Sequence, residues 1–114
     1  MSRSAMAKTA KELGINEDVL RYAFPFKQQL ALLQAIYRMD PVASKKIDAI
    51  RGQILEYTTR TNPGSQKYLS NSPVVIEKIW DMVVDMILSG ECDSRVLHAK
   101  RLNPVWVSRV FDTS

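Results

Sequence analysis

The sequence has one cysteine and one histidine among its 114 residues. A single cysteine, Cys92, excludes an internal disulfide and gives no sign of an oxidising compartment. His98 lies six residues later, a spacing that places the two side chains on different sides of a helix. Glu91 and Asp93 flank the thiol and disfavour the thiolate. With no metal-spaced Cys/His set, glycine-rich phosphate loop or nucleophile elbow, we expect no enzyme, no metal and no cofactor.

Long hydrophobic runs are also missing. The most apolar stretch, residues 74–88, is interrupted by Glu77, Lys78, Asp81 and Asp85, so it is not a membrane span. Residues 1–9 lack the apolar core of a signal peptide. We therefore expect a cytoplasmic protein with no membrane partner and no small-molecule substrate.

Alternation of apolar and polar residues, the pattern of a half-buried strand, is nearly absent. The chain contains only four glycines, 46% hydrophobic residues and 25% charged residues, which is an ordinary globular composition. At this length one domain is expected, residues 1–114. We predict an all-α fold: a small bundle of about five to seven helices with an N-terminal helix-turn-helix-like corner in residues 1–38, core helices in 40–89 and C-terminal helices in 93–114.

Capping residues and prolines set the predicted helix boundaries. Gly14 ends a first helix from about Ser4 to Leu13, Asn16 begins a second, and Pro25 ends it. The later helices are predicted at Phe26 to Met39, Pro41 to about Arg60, Pro73 to Ser89 with a stop at Gly90, and Asp93 or Ser94 to about Leu102. The pattern from Val105 to Phe111 fits a short helix or an extended strand, and we choose the helix because no partner strand is visible. Between them, 62–65 read as a turn and 66–70 as one loose helical turn.

Two helices have distinct apolar patterns. In the helix after Pro41, Ala43, Ile47, Ile50, Ile54 and Tyr57 form one narrow stripe. The helix after Pro73 is apolar on three sides, so it is either the central helix of the fold or part of a subunit interface. The residues proposed for an oligomer or partner interface are Ile76, Ile79, Trp80, Val83, Met86 and Ile87. A homo-oligomer or a helical protein partner is expected on this basis.

Residues 6–23 have the spacing of a helix-turn-helix unit. Ala10 provides a small side chain where two helices touch, Gly14 permits a positive φ in the turn, and Leu13, Ile15 and Leu20 would pack beneath. The stretch from Ala10 to Ala23 resembles the helix-turn-helix superfamily of DNA-binding domains, without indicating a particular family. The resemblance implies that the second helix enters the major groove of DNA.

Positive charge is modest, at +4 overall. Arg95, His98, Lys100, Arg101 and Arg109 lie near Trp106, and basic residues beside an aromatic ring suit phosphate contact and base stacking. A solvated helix face with Trp106 in the core is the alternative. The residues proposed to contact nucleic acid are Lys8, Lys11, Asn16, Arg21, Tyr22, Lys100 and Arg101.

Negative charge weighs against DNA contact at the corner, because Glu17 and Asp18 stand where phosphates would approach. A plain helix corner capped by Asn16 explains the same pattern. Glu77, Asp81 and Asp85 form a stripe that fits a solvated face, a basic partner or, less well, a divalent cation.

The sequence thus supports two functional hypotheses. The first is a non-enzymatic helical DNA-binding regulator or DNA-associated adaptor, oligomeric, that contacts double-stranded DNA. The alternative is a protein–protein interaction or assembly module that uses the apolar face of the helix at 73–89 and has no nucleic-acid role.

Overall fold

The computed structural model describes residues 10–61 and 72–112, and within these ranges the chain is helical with no strand. After helical residues 10–13 come a π-helical turn at Val19–Ala23, helix α1 at Phe26–Met39 and helix α2 at Pro41–Thr61. Helix α3 at Pro73–Ser89, a 3-10 helix at Ser94–His98 and helix α4 at Pro104–Val110 complete the order. The predicted all-α fold class is confirmed. The turn and loose helix predicted at 62–70, and the first part of the N-terminal helix, lie outside the described residues.

Three helices begin where a capping side chain precedes a proline. Asp40 Oδ1 accepts from the Ala43 amide at 3.0 Å before α2, and Ser72 Oγ accepts from the Val75 amide at 3.4 Å before α3. Asn103 Oδ1 accepts from the Val105 amide at 2.9 Å before α4. Each side chain satisfies a backbone N–H that has no partner inside its helix. These starts are confirmed, and residues 104–110 are helical as predicted.

Helix α3 is the centre of the molecule. It packs against α2, α1 and the π-helical turn. Nine of its side chains are buried: Val75, Ile76, Ile79, Trp80, Val83, Val84, Met86, Ile87 and Leu88. The sequence allowed this helix to be either the central helix of the fold or part of a subunit interface, and in the structure it is the central helix. Gly90, at φ +82°, ends it as predicted.

The stripe predicted along α2 is right at its start and wrong at its end. Ala43 and Ile47 are fully buried, but Tyr57 is 62% exposed and Thr58 is buried instead. At about 100° per residue, Tyr57 and Thr58 lie at similar angles on either side of the stripe. Packing against α3, and not periodicity, therefore decides which one is buried. Thr58 is compatible with burial because its hydroxyl donates to the Ile54 carbonyl at 2.8 Å.

The α-helix predicted from Ser94 to Leu102 is wrong in type and length. The chain forms i→i+3 hydrogen bonds from Val96 to Asp93, from Ala99 to Val96 and from Leu102 to Ala99. Val96, Leu97 and Leu102 all reach the core. A straight α-helix would spread these three over most of its circumference, whereas the observed chain leaves the helix at Ala99 and brings Leu102 back to the core through a separate turn.

Candidate functional site

The N-terminal corner ends its first helix in a Schellman motif. The Gly14 amide donates to the Lys11 carbonyl at 3.2 Å, and the Ile15 amide donates to the Ala10 carbonyl at 2.9 Å. This pair of bonds requires a left-handed residue at the first position after the helix, and Gly14 has φ +72°. The predicted helix stop is confirmed. Ala10 and Ile15 are buried as expected, but Leu13 is 39% exposed, because it lies at the end of the helix beside an open cleft.

Asn16 caps the next turn and also ties it to the C-terminal helix. Its Oδ1 accepts from the Val19 amide at 3.2 Å, which confirms the predicted cap. Its Nδ2 donates to the Asp112 carbonyl at 3.2 Å, and its own amide donates to the Val110 carbonyl at 2.6 Å. Both ends of the side-chain amide are therefore engaged within the chain and not directed outward to a base.

Arg21 departs most from its predicted place on a DNA-facing surface. Its side chain is only 12% exposed, and its guanidinium donates to Glu17 at 3.0 Å, Asp81 at 3.3 Å and Asp85 at 2.7 Å. Burial lowers the pKa of Arg21, but the hydrogen bonds to Asp85 and Glu17 outweigh it and the net shift is upward. The guanidinium thus links the corner to α3, and two members of the acidic stripe serve this internal contact.

The second helix of the corner, residues 17–23, presents little positive charge at its surface. Tyr22 is 77% exposed, and Asp18 and Lys11 are exposed as well; Lys8 lies outside the described residues. Between residues 17 and 23 the one cation is Arg21, and it turns inward. The second helix therefore presents an aromatic ring and a carboxylate where a DNA-reading helix presents hydrogen-bond donors.

The π-helical turn was not predicted, and it leaves one backbone carbonyl without a partner inside the turn. In a π-helix the Leu20 carbonyl would accept from residue 25, which is Pro25 and has no N–H. The Trp80 indole Nε1 donates to this carbonyl instead, at 3.1 Å in the buried core. Phe24 stacks on the Trp80 ring with centroids 5.7 Å apart. These contacts fix the corner against α3.

The six side chains proposed for a partner interface are buried by their own chain. Their exposures do not exceed 5%, for Ile76, Ile79, Trp80, Val83, Met86 and Ile87 alike. The prediction that they face a partner is corrected for a simple reason: helix α3 is surrounded by α1, α2 and the corner, so its three apolar sides are already covered. Any partner surface has to lie elsewhere.

Positive charge is concentrated in two segments that pack on each other. Residues 26–39 and 94–111 contain six Lys or Arg residues and no Asp or Glu, so the rest of the chain has an excess of two negative charges. Helix α1 contacts the 3-10 helix directly. The six cations are all exposed: Lys27, Arg38, Arg95, Lys100, Arg101 and Arg109.

Four of these cations share one surface, which we call the cationic face: Lys27, Arg38, Lys100 and Arg101. Lys27, Gln34 and Arg38 lie on one stripe of α1, at intervals of seven and four residues. The Arg101 guanidinium donates to Gln34 Oε1 at 2.9 Å, and Arg38, Lys100 and Arg101 line the same small hollow. The structure therefore brings the predicted contact residues Lys100 and Arg101 to α1, which the sequence did not suggest.

The acidic residues that border these segments along the chain have contacts of their own. Asp40 caps α2, and Asp93 accepts from the Arg95 guanidinium at 2.6 Å, which lowers the pKa of Asp93. Arg109 stacks over the Trp106 ring at 4.6 Å. Trp106 is half-buried. It is therefore neither a core residue nor a fully exposed ring, which were the two alternatives from the sequence.

A cleft of about 650 Å³ opens beside the cationic face. Its lining includes Lys100, His98 and Ser108 together with apolar side chains from 97 to 111. A second cleft, of about 510 Å³, lies beside the corner and is lined by Tyr22, Phe26, Trp80, Glu77 and Asp81 among others.

The thiol of Cys92 is not placed for chemistry. It is 1% exposed, and burial, with Asp40 and Asp93 nearby, raises the pKa of Cys92 to about 12. Across residues 10–61 and 72–112, no group of three or more His, Cys, Asp or Glu side chains is arranged to hold a metal ion. In the same ranges, no helix has both the length and the apolar character needed to cross a membrane.

No protein-family model, curated protein or solved structure matches this chain. The two clefts and the cationic face are therefore the candidate functional surfaces of the described residues.

Proposed function

We propose that the protein is a non-enzymatic, cytoplasmic DNA-binding domain that contacts the phosphate backbone through its cationic face. The observation that carries this proposal is the segregation of charge: segments 26–39 and 94–111 hold six cations and no acid in a chain of net charge +4. Cations on one surface attract a polyanion because binding releases the counterions condensed on DNA.

The chemistry of the face favours backbone contact over base recognition. Lys27, Arg38 and Lys100 are exposed, and long cationic side chains reach phosphate oxygens without a fixed docking angle. Gln34 accepts from Arg101 and so holds that guanidinium at the surface of α1. The proposal keeps Lys100 and Arg101 as contact residues, and assigns Asn16 and Arg21 to the structure of the corner.

The salt dependence of binding tests the proposal. Wild type and Lys100→Ala/Arg101→Ala are compared on a mixed-sequence duplex at several salt concentrations by fluorescence anisotropy. We expect the double variant to bind about tenfold more weakly at low salt, and its slope of log K against log[salt] to be shallower by roughly 2, since each phosphate contact contributes about 0.9.

A matched control removes the same charge elsewhere. Arg60 and Lys78 are exposed cations on α2 and α3, outside the cationic face, and Arg60→Ala/Lys78→Ala should retain the wild-type slope. Equal losses in the two double variants would mean that net charge alone drives binding, and no binding by wild type at low salt would refute the proposal.

A second candidate function is self-association at the cleft beside the corner. Tyr22 is 77% and Phe26 39% exposed on this surface, and exposed aromatic side chains next to acidic groups suit contact with a cationic partner surface. A second copy of the chain, presenting its cationic face, has the complementary charge. This candidate keeps the expected homo-oligomer but moves the contact from the buried side of α3 to the cleft.

Sedimentation equilibrium at low and high salt tests this second candidate. We expect wild type to associate with rising concentration, more strongly at low salt, and Tyr22→Ser/Phe26→Ser to shift the equilibrium toward monomer. Val42→Ser/Val105→Ser replaces two other exposed apolar residues and should leave association unchanged. A wild type that stays monomeric at the highest concentrations would dismiss the candidate.

A further inference from the structure

The cleft beside the cationic face has a composition that a backbone-binding surface does not need. Lys100 lines it, with the hydroxyl of Ser108 and the imidazole of His98. The remaining lining is apolar and includes Leu97, Leu102 and Phe111. Phosphate contact alone is served by exposed cations, so an apolar cleft at this place points to a ligand with an apolar portion.

An aromatic pair forms part of the lining. The His98 and Phe111 rings are parallel, with centroids 5.0 Å apart and planes inclined by 9°. Both residues line the cleft. Aromatic rings of this kind are the surfaces on which unpaired nucleobases stack, and such stacking is tolerant of base identity.

The polar groups complement the same ligand. The Ser108 hydroxyl both donates and accepts hydrogen bonds, and the His98 ring adds an N–H donor. These are the groups that pair with the edge of a nucleobase. The ammonium of Lys100 carries the positive charge that the adjoining phosphate needs. The volume of about 650 Å³ falls in the usual range for small-molecule sites, roughly 300–1,000 Å³.

We propose that the cleft lined by His98, Lys100, Ser108 and Phe111 binds an unpaired nucleobase, so that the domain prefers single-stranded DNA, or a duplex with an unpaired base, over uninterrupted duplex. This inference rests on the proposed function, since Lys100 belongs to the cationic face, and adds the class of DNA that the face selects. In a duplex the bases are stacked and paired, and one must leave the stack before it can enter a cleft.

Three probes of equal length separate base binding from charge: oligothymidine, an abasic single strand and a mixed-sequence duplex. Fluorescence anisotropy at a single salt concentration gives the three affinities. We expect wild type to bind oligothymidine at least about fivefold more tightly than the abasic strand, because stacking one base on an aromatic ring has an effect of this size.

A variant that occupies part of the cleft without changing charge, and without adding an aromatic ring on which a base could stack, gives the decisive comparison. Ser108 is exposed on α4, so Ser108→Leu places a bulky aliphatic side chain in the cleft. It should abolish the preference for oligothymidine and keep the wild-type affinity for the abasic strand. Val105→Leu is the matched control, since it places the same side chain at a position that is 66% exposed on the same helix and does not line the cleft; it should keep the preference.

His98→Ala is a second variant, which removes one ring of the pair and should reduce the preference even if Ser108→Leu fails to fold. Equal wild-type affinity for oligothymidine and the abasic strand would overturn the inference and leave the DNA-binding proposal standing. A preference that survives both variants would also overturn it. Absence of binding to every probe at low salt would instead refute the proposed function itself.

Discussion

Arg21→Ala should lower the free energy of unfolding by about 2–3 kcal/mol. The guanidinium lies 2.7 to 3.3 Å from three carboxylates and is 12% exposed, so the substitution removes three charge-assisted hydrogen bonds at once. The carboxylates of Glu17, Asp81 and Asp85 are 37 to 71% exposed. Because water can solvate them after the change, the loss is smaller than for a fully buried pair. Urea unfolding followed by circular dichroism measures it.

Arg60→Ala is the matched control for this prediction. Arg60 also donates to a carboxylate four residues away, Glu56, at 3.0 Å, but both side chains are more than 70% exposed. An exposed pair of this type contributes about 0.5 kcal/mol or less. Similar losses for the two variants would show that Arg21 is solvated in solution and that the corner does not depend on it.

The stability of Arg21→Ala also bears on function, because a weakened corner would reduce DNA binding without any lost contact. Arg21 would then be mistaken for a contact residue in a binding assay alone. Comparing Arg21→Ala with Lys100→Ala/Arg101→Ala separates the cases: only the loss of phosphate contacts should flatten the salt slope.

Helix boundaries could be predicted because local chemistry sets them. Asp40, Ser72 and Asn103 each cap the helix that the next proline begins, and Gly14 and Gly90 each adopt the positive φ that ends one. None of these depends on a distant part of the chain. Each of these residues can be recognised from the sequence within a few positions of the helix end that it sets.

The direction in which polar side chains point could not be predicted in the same way. Arg21 and Asp85 are 64 residues apart in the sequence, yet their side chains are 2.7 Å apart in the structure. The contact between α1 and the loop after the 3-10 helix also joins distant positions, since Gln34 and Arg101 are separated by 67 positions in the sequence. A sequence pattern locates a charge on a helix, but tertiary packing decides whether that charge meets a partner or solvent.

The role of α3 illustrates the same limit for apolar residues. An apolar surface on three sides fits a central helix and a subunit interface equally well, and only the arrangement of α1, α2 and the corner distinguishes them. The corner contributes through Phe24, which stacks on Trp80, and through the Leu20 carbonyl, which accepts from the indole. Neither contact could be inferred from the spacing of apolar residues.

Ile79→Ala should be among the most destabilising single changes, at about 3–4 kcal/mol. Ile79 is fully buried in the middle of α3, so the loss includes both the transfer of the removed carbons and the cavity that they leave. Since a domain of this size has a total stability of about 5–15 kcal/mol, the midpoint of thermal unfolding should fall by roughly 10–15 °C. Differential scanning calorimetry at two protein concentrations measures the shift.

Two comparisons distinguish a core residue from a residue at a subunit contact: the stability loss at two protein concentrations, and the loss for a neighbouring exposed residue. If Ile79 packs within its own chain, the loss is the same at both concentrations, whereas a residue at a subunit contact loses stability in a way that varies with concentration. Met82 lies on the same helix but is 45% exposed, so Met82→Ala should change stability by about 1 kcal/mol or less. A loss for Ile79→Ala that vanished on dilution, or that merely equalled the loss for Met82→Ala, would return the apolar side of α3 to the role of a partner surface.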